Sequence, residues 1–341
     1  MRQDHHRMTG AEPNHRHLRA LARGMLIVAV VAASVALLLA VAPLDSISDE
    51  FGHLRVSWLL LAVAFEVGSC LCYPVVFRRF FPEPPAGVSR RVAWMAMGAG
   101  AVLPGGNISS AAATGLLLRR HGIGALRLAG RCTAIVFLLT LFGFFVNGVV
   151  GLALLAHLPG GPHDLLRAGG PVLVSVVVLG GAGALMGLTR RRGDPAPRIV
   201  QVAAHGLHDA WLAARRPSVQ LAGAAGFLLL DIAALWAATV ATGHPIGVPA
   251  LMLAYFIGYL ATLLPVPAGI GVLDSGLAGM LVVYGMHGSY AVTAVLAYHA
   301  ISVWVPGVGG LYAWIRTGRA EGAGILRRRR TDRKPASTVA G

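Results

Sequence analysis

Leu263-Leu264-Pro265-Val266-Pro267-Ala268-Gly269-Ile270-Gly271-Val272-Leu273-Asp274 lies between two apolar runs, Leu251 to Thr262 and Leu277 to Tyr284. Pro265 and Pro267 each lack a backbone donor, and Gly269 and Gly271 free the chain from the usual steric limits, so the stretch predicts a broken helix. In hydrocarbon, a break leaves peptide groups unpaired unless protein or a water-filled cavity surrounds it. Such breaks gather where a substrate or ion is handled. Asp274 follows directly, and an ionisable side chain at membrane depth is costly enough to mark a candidate site.

The rest of the chain supplies the membrane. Of 341 residues, 56% are hydrophobic and 13% charged, with a mean hydropathy of +0.68, far from soluble composition. Runs long enough to cross about 30 Å of hydrocarbon lie near 24–43, 57–77, 128–156, 171–189, 218–241 and 289–315. Two more apolar regions, 92–118 and 249–286, are interrupted by Pro and Gly and read as re-entrant hairpins or pairs of short helices. The expected fold is an all-α polytopic integral membrane protein of about eight membrane elements. Residues 24–316 form the membrane domain, between a disordered basic tail (1–23) and a second basic tail (317–341). Ala40-Val41-Ala42 resembles a signal cleavage site, but the apolar run before it is too long for a signal peptide.

A net charge of +15 raises the question of nucleic acid, and its distribution argues against that partner. With the N-terminus inside, 27 of the 29 basic residues fall in cytoplasmic segments and only Arg55 and Arg167 outside, as the positive-inside rule requires. This places both termini in the cytoplasm of a bacterial cell. The same side chains attract anionic lipid headgroups.

In the first broken region, Val92 to Leu103 is followed by Pro104-Gly105-Gly106-Asn107-Ile108-Ser109-Ser110 and then Ala111 to Leu118. Arginines flank it on both sides, so it enters from the inside and turns back. Asn107 and the serines suit a helix start, whose free N–H groups and positive dipole end favour phosphate or carboxylate. Arg131 follows at the start of the next span. Glu66, Asp231 and His299 lie within apolar spans, and the last span is expected to break at Pro306-Gly307. Ile199, Ala203, Leu207, Ala210, Trp211 and Ala214 recur at helical spacing, which reads as an amphipathic surface helix over about 199–214. His205, His208 and Asp209 on its other face read as a solvated face rather than metal ligands. Cys70, Cys72 and Cys132 have no metal or disulfide spacing. Gly183 and Gly187 are expected at close helix contacts.

The two broken regions echo each other. Leu103-Pro104 followed by His121-Gly122 parallels Leu264-Pro265 followed by His287-Gly288, at offsets of 161 and 166 residues. Counting crossings, the first region enters from inside and the second from outside, the plan of an inverted repeat.

Pro265-Val266-Pro267-Ala268-Gly269-Ile270-Gly271-Val272-Leu273-Asp274 resembles the Pro-x-Pro-Gly-Gly-x-Gly-x-x-Glu signature of the flippase-like transmembrane family typified by the membrane half of lysylphosphatidylglycerol synthase. Leu103-Pro104-Gly105-Gly106 resembles that family's first broken element. Ala268 stands for glycine and Asp274 for glutamate, and Asn107 occupies a position that is charged in many relatives. The resemblance implies translocation of a polar or aminoacylated phospholipid, or of a lipid-linked intermediate. Pro104, Gly105, Gly106, Asn107 and Arg131 would receive phosphate, while Pro265, Pro267, Gly269 and Gly271 shape the path. Glu66, Asp231 and Asp274 would meet a cationic headgroup or protons, and His299 is counted with them among the translocation residues. The chain stops soon after its last span, so the soluble aminoacyl-transfer activity is not expected.

Two other classes compete. A lipid-modifying transferase needs a general base and usually a metal or donor loop, and no Asp-x-Asp pair or metal-spaced histidine cluster points to one. A non-transporting partner of an envelope-synthesis enzyme is the other. No enzyme activity and no cofactor are expected, and the expected partners are anionic or aminoacylated phospholipids.

Overall fold

The computed structural model describes residues 49–103, 105–191, 198–215, 218–260 and 272–331. The expected first span, 24–43, lies outside them, as do Pro104 and residues 261–271. Every regular element among the described residues is helical: α1 (Val56–Phe80), α2 (Ala86–Val102), α3 (Asn107–Leu118), a 3-10 turn (Arg119–His121), α4 (Ala125–Leu155), α5 (Gly169–Arg191), α6 (Arg198–Ala214), α7 (Val219–Ala241), α8 (Val248–Tyr259), α9 (Val272–Val283) and α10 (Gly288–Thr331). Helices α1, α4, α5, α7 and the first part of α10 are long and apolar enough to cross a membrane.

Local chemistry sets the boundaries. Ser218 caps α7, its Oγ accepting from Leu221 N at 3.3 Å. Gly243 and Gly285, at φ +81° and +100°, turn the chain after α7 and α9. Between α2 and α3 the chain reverses through Gly105 (φ +104°) and Gly106 (φ +48°), backbone that other residues rarely adopt. Both broken regions are thus pairs of short helices. Helices α3, α8 and α9 have 12 residues each, about 18 Å at 1.5 Å per residue, too short for a bilayer core of about 30 Å.

Helices α1 and α7 form the central pair and run antiparallel. Arg55 N donates to Ala241 O at 3.0 Å, and Ser69 Oγ to Phe227 O at 2.7 Å. At the other end, a Cβ on Gly223 would lie 3.2 Å from Val75. The α2–α3 pair therefore starts where α1 finishes, whereas α8–α9 starts at the opposite end, beside Arg55. Helix starts at Val56, Ala86, Asn107 and Ala125 are followed by starts at Val219, Val248, Val272 and Gly288, each 162 to 165 residues later.

The apolar core forms two clusters. One gathers Ile232, Leu235, Leu251, Leu253, Leu277, Leu281 and Val292; the other gathers Val76, Phe77, Phe81, Val92, Leu118, Ile135 and Leu138. Along α1, Phe65 packs against the first and Tyr73 against the second. Glu66 stands between them.

Several details depart from the sequence reading. Helix α10 does not break at Pro306 and continues to Thr331, into the expected tail. Proline removes one backbone donor, and in lipid a freed carbonyl is tolerated where a neighbouring helix covers it. The carbonyl it frees is that of Ser302, one turn earlier, and α2 lies close against α10 just beyond it, where a Cβ on Gly98 would lie 2.8 Å from Pro306 O. Among the described residues Gly183 and Gly187 make no close contact, since a Cβ at either would meet nothing within 4 Å. Close approaches instead fall at Gly98, Gly143, Gly151 and Gly258. The amphipathic helix exists as α6, with Leu207, Ala210 and Ala213 buried, but Trp211 and Ala214 face outward. Gly206 sits tight on Thr133 and sets which face is covered.

Candidate functional site

Four helices bring ionisable groups together near the middle of the bundle. Glu66 lies ten residues into α1, about 15 Å along a helix rising 1.5 Å per residue. Its carboxyl is 5% exposed and within hydrogen-bonding reach of Asp231 on α7. Cys70, one turn along α1, donates its thiol to Glu66 Oε1 at 3.6 Å. Tyr298 on α10 donates to Asp231 Oδ1 at 2.7 Å, and Tyr255 on α8 donates to Asp231 Oδ2. Both tyrosines are buried. Two hydroxyl donors on one carboxylate give it the hydrogen bonds it would otherwise take from water.

The next residue of α10 serves a second acid. His299 Nδ1 lies 2.8 Å from Asp274 Oδ1, with Asp274 3% exposed. Asp274 occupies the first turn of α9, where the positive end of the helix dipole favours a carboxylate. Adjacent residues Tyr298 and His299 thus reach toward two different acids, and a movement of α10 bears on both. The α8–α9 pair is held closed nearby, because a Cβ on Gly258 would come within 2.9 Å of Leu277 Cα.

Of the residues expected from sequence, Glu66 and Asp231 come together, and Asp274 meets His299. Arg131 does not join them: its Nη1 lies 2.6 Å from Glu83 Oε1, and its guanidinium sits 5.7 Å from the centre of the Phe81 ring. It ties α4 to the α1–α2 connection, at the end of the bundle where α1 finishes. Burial pushes the Glu83 carboxyl up, but hydrogen bonds from its own backbone and from Arg131 outweigh it and leave it below the usual carboxylate range. Gly105 and Gly106 form the α2–α3 turn, and Asn107 is the first residue of α3 rather than its cap. Its surroundings are open, with Leu103 and Ile108 exposed. Pro104, Pro265, Pro267, Gly269 and Gly271 lie outside the described residues. On α6, the His205 ring nitrogen lies 2.7 Å from Gln201 O, and His208 and Asp209 are exposed.

Tyr255, Tyr298 and Cys70 were not singled out by sequence. A tyrosine in an apolar span is ordinary, and only its position beside His299 hinted at Tyr298.

The family described as lysylphosphatidylglycerol synthase TM region matches the chain over residues 24–310. The chain belongs to that family. The match to the lysylphosphatidylglycerol synthase TM region takes in α1 through α9 and α10 as far as Gly310, and with them Glu66, Asp231, Asp274 and His299. No curated protein matches the chain.

Proposed function

We propose that the protein translocates a phospholipid with a polar or aminoacylated headgroup across the cytoplasmic membrane of a bacterium, with both termini inside. The observation that carries this reading is the buried Asp274–His299 pair, whose acid follows a Pro- and Gly-rich stretch in the sequence and lies in the first turn of α9. An ion-pairing acid in such a place is expensive to maintain unless it meets something charged. A headgroup would pass between the helix pairs while its acyl chains stay in lipid. Asp274 would meet its cationic part, and His299 is the partner that the headgroup displaces.

The regular spacing of helix starts, the antiparallel α1–α7 pair and the opposite ends of the two short pairs support an inverted repeat with re-entrant hairpins. Such repeats place their sites near the midplane, and Glu66 and Asp231 sit well inside the lengths of α1 and α7, as that plan would need. Clustering of basic residues at one end supports the orientation and gives anionic headgroups an attractive surface. The experiment is reconstitution in liposomes with fluorescent phosphatidylglycerol or its lysyl derivative, reading headgroup exposure to an impermeant quencher. Faster exposure than in protein-free liposomes, for one of the two lipids, is expected. No acceleration for either, with folded protein in the bilayer, would contradict the reading.

A further inference from the structure

Glu66 and Asp231 meet without any cation among the described groups that face them. Those groups are Cys70 from α1, Tyr255 from α8 and Tyr298 from α10. Asp274 and His299 pair with each other one residue further along α10. Hydrogen-bond accounting then locates a gap. Both oxygens of Asp231 accept from tyrosine hydroxyls, and Glu66 Oε1 accepts from the Cys70 thiol. Glu66 Oε2 is buried and receives nothing. Ionised carboxyl groups are acceptors only, so two of them in contact leave that oxygen unsatisfied and set like charges together in a low dielectric. One proton on Glu66 Oε2 resolves both faults, because it makes that oxygen the donor and Asp231 the acceptor.

The position of the pair adds a second argument. Glu66 and Asp231 are 165 residues apart, two more than the 163 between the starts of α1 and α7, and they meet across the antiparallel α1–α7 pair. Acids at nearly matching positions of α1 and α7 thus meet on the central pair, about which two halves would rearrange. Losing the proton leaves two touching carboxylates and drives α1 from α7; regaining it draws them together.

We propose that Glu66 and Asp231 form a site for one exchangeable proton, and that its occupancy is coupled to lipid movement. The coupling rests on the translocation reading above, whereas the site itself does not. When the proton leaves Glu66 Oε2 it passes to water and the pair gains one negative charge; no other reactant is required.

The test is infrared spectroscopy of the full chain in lipid bilayers, following the carbonyl band of a protonated carboxylic acid against pH. In parallel, headgroup exchange is measured over the same pH range. The wild type should show one such band that fades as pH rises and that both Glu66→Gln and Asp231→Asn lack. Either variant alone reads the site if the other fails to fold. Exchange in the wild type should change by about tenfold across that titration, within the usual range of coupling between two sites, and both variants should lose the pH response. Absence of the band at every pH, or its persistence in both variants, would overturn the site. Loss of the band on adding sodium at fixed pH would make it a metal-cation site and overturn the proton assignment. A titrating band with pH-independent exchange would overturn the coupling. A titrating band with no exchange of any lipid at any pH would sink the translocation reading and leave the proton site standing.

Discussion

The two short helix pairs, α2–α3 and α8–α9, begin alike and end differently. Each follows a long helix and leads to another long helix, yet Asp274 is buried at the start of α9 while the turn between α2 and α3 is exposed and bears no charge. Leu251, Leu253, Ala254, Tyr255, Leu277 and Leu281 are all buried in the second pair. Val102, Leu103, Ile108 and Leu116 are exposed in the first. Helix α10 touches both, through Pro306 to Gly310 against α2 and through His299 against α9. The two pairs thus differ in what they hold: the second carries a buried acid and the first carries none at its turn. The local geometry of a broken helix does not decide this; the side chain placed in the first turn after the break does.

If that contrast is right, tightness should matter most in the second pair. Gly258→Ala would set a Cβ 2.9 Å from backbone of Leu277, an overpacking expected to cost about 1–3 kcal/mol, read as a lower melting temperature in detergent. Gly100→Ala in the first pair faces Ser110 Cβ at 3.2 Å and Gly106 O at 3.3 Å and should cost less. Gly183→Ala, with open space around it, should change nothing. Equal losses at Gly258 and Gly183 would break the comparison.

A smaller effect is expected from Tyr298→Phe, which removes one donor from Asp231 while keeping the ring. Leaving that bond unmade should cost about 1–2 kcal/mol, measured by chemical unfolding in micelles. Tyr255→Phe should behave alike, and the double variant should lose more than the sum if the network acts as a unit. Strict additivity would argue that the two hydroxyls are independent.

The smallest effect belongs to the Arg131–Glu83 contact beside the first pair. Glu83 sits below the usual carboxylate range in the folded protein, so its contribution is present above its ordinary titration and is lost as pH falls through the lower, folded value. The melting temperature of wild type should exceed that of Glu83→Gln slightly at neutral pH, and the difference should vanish in acid. Both side chains are partly exposed, which keeps the effect small. A difference that grows in acid would contradict the assignment.

Much of this architecture was legible in the sequence, because lipid imposes a simple rule on it. Apolar runs of sufficient length gave the long helices, and Pro with Gly marked both broken regions. The ionisable residues Glu66, Asp231, Asp274 and His299 stood out since each is costly in an apolar run. Their partners were not legible. Tyr255 and Tyr298 are unremarkable in such segments, and Arg131 gave no sign that Glu83, across a helix connection, would claim it. Pro306 misled for the opposite reason: its cost depends on what packs around that turn, and α2 lies close there through Gly98, from over two hundred residues away in the chain. Gly183 and Gly187 have the spacing of a helix contact, but among the described residues nothing packs against them.

The most direct measurement compares headgroup exchange in liposomes for wild type, Asp274→Asn and Asn107→Ala, one variant in each helix pair. The account predicts that Asp274→Asn slows exchange by about tenfold or more, as expected when a charge-assisted contact worth at least ~1.4 kcal/mol is lost, while Asn107→Ala stays close to wild type. Unimpaired exchange in folded Asp274→Asn, or an equal loss in Asn107→Ala, would contradict the assignment of headgroup charge recognition to the second pair.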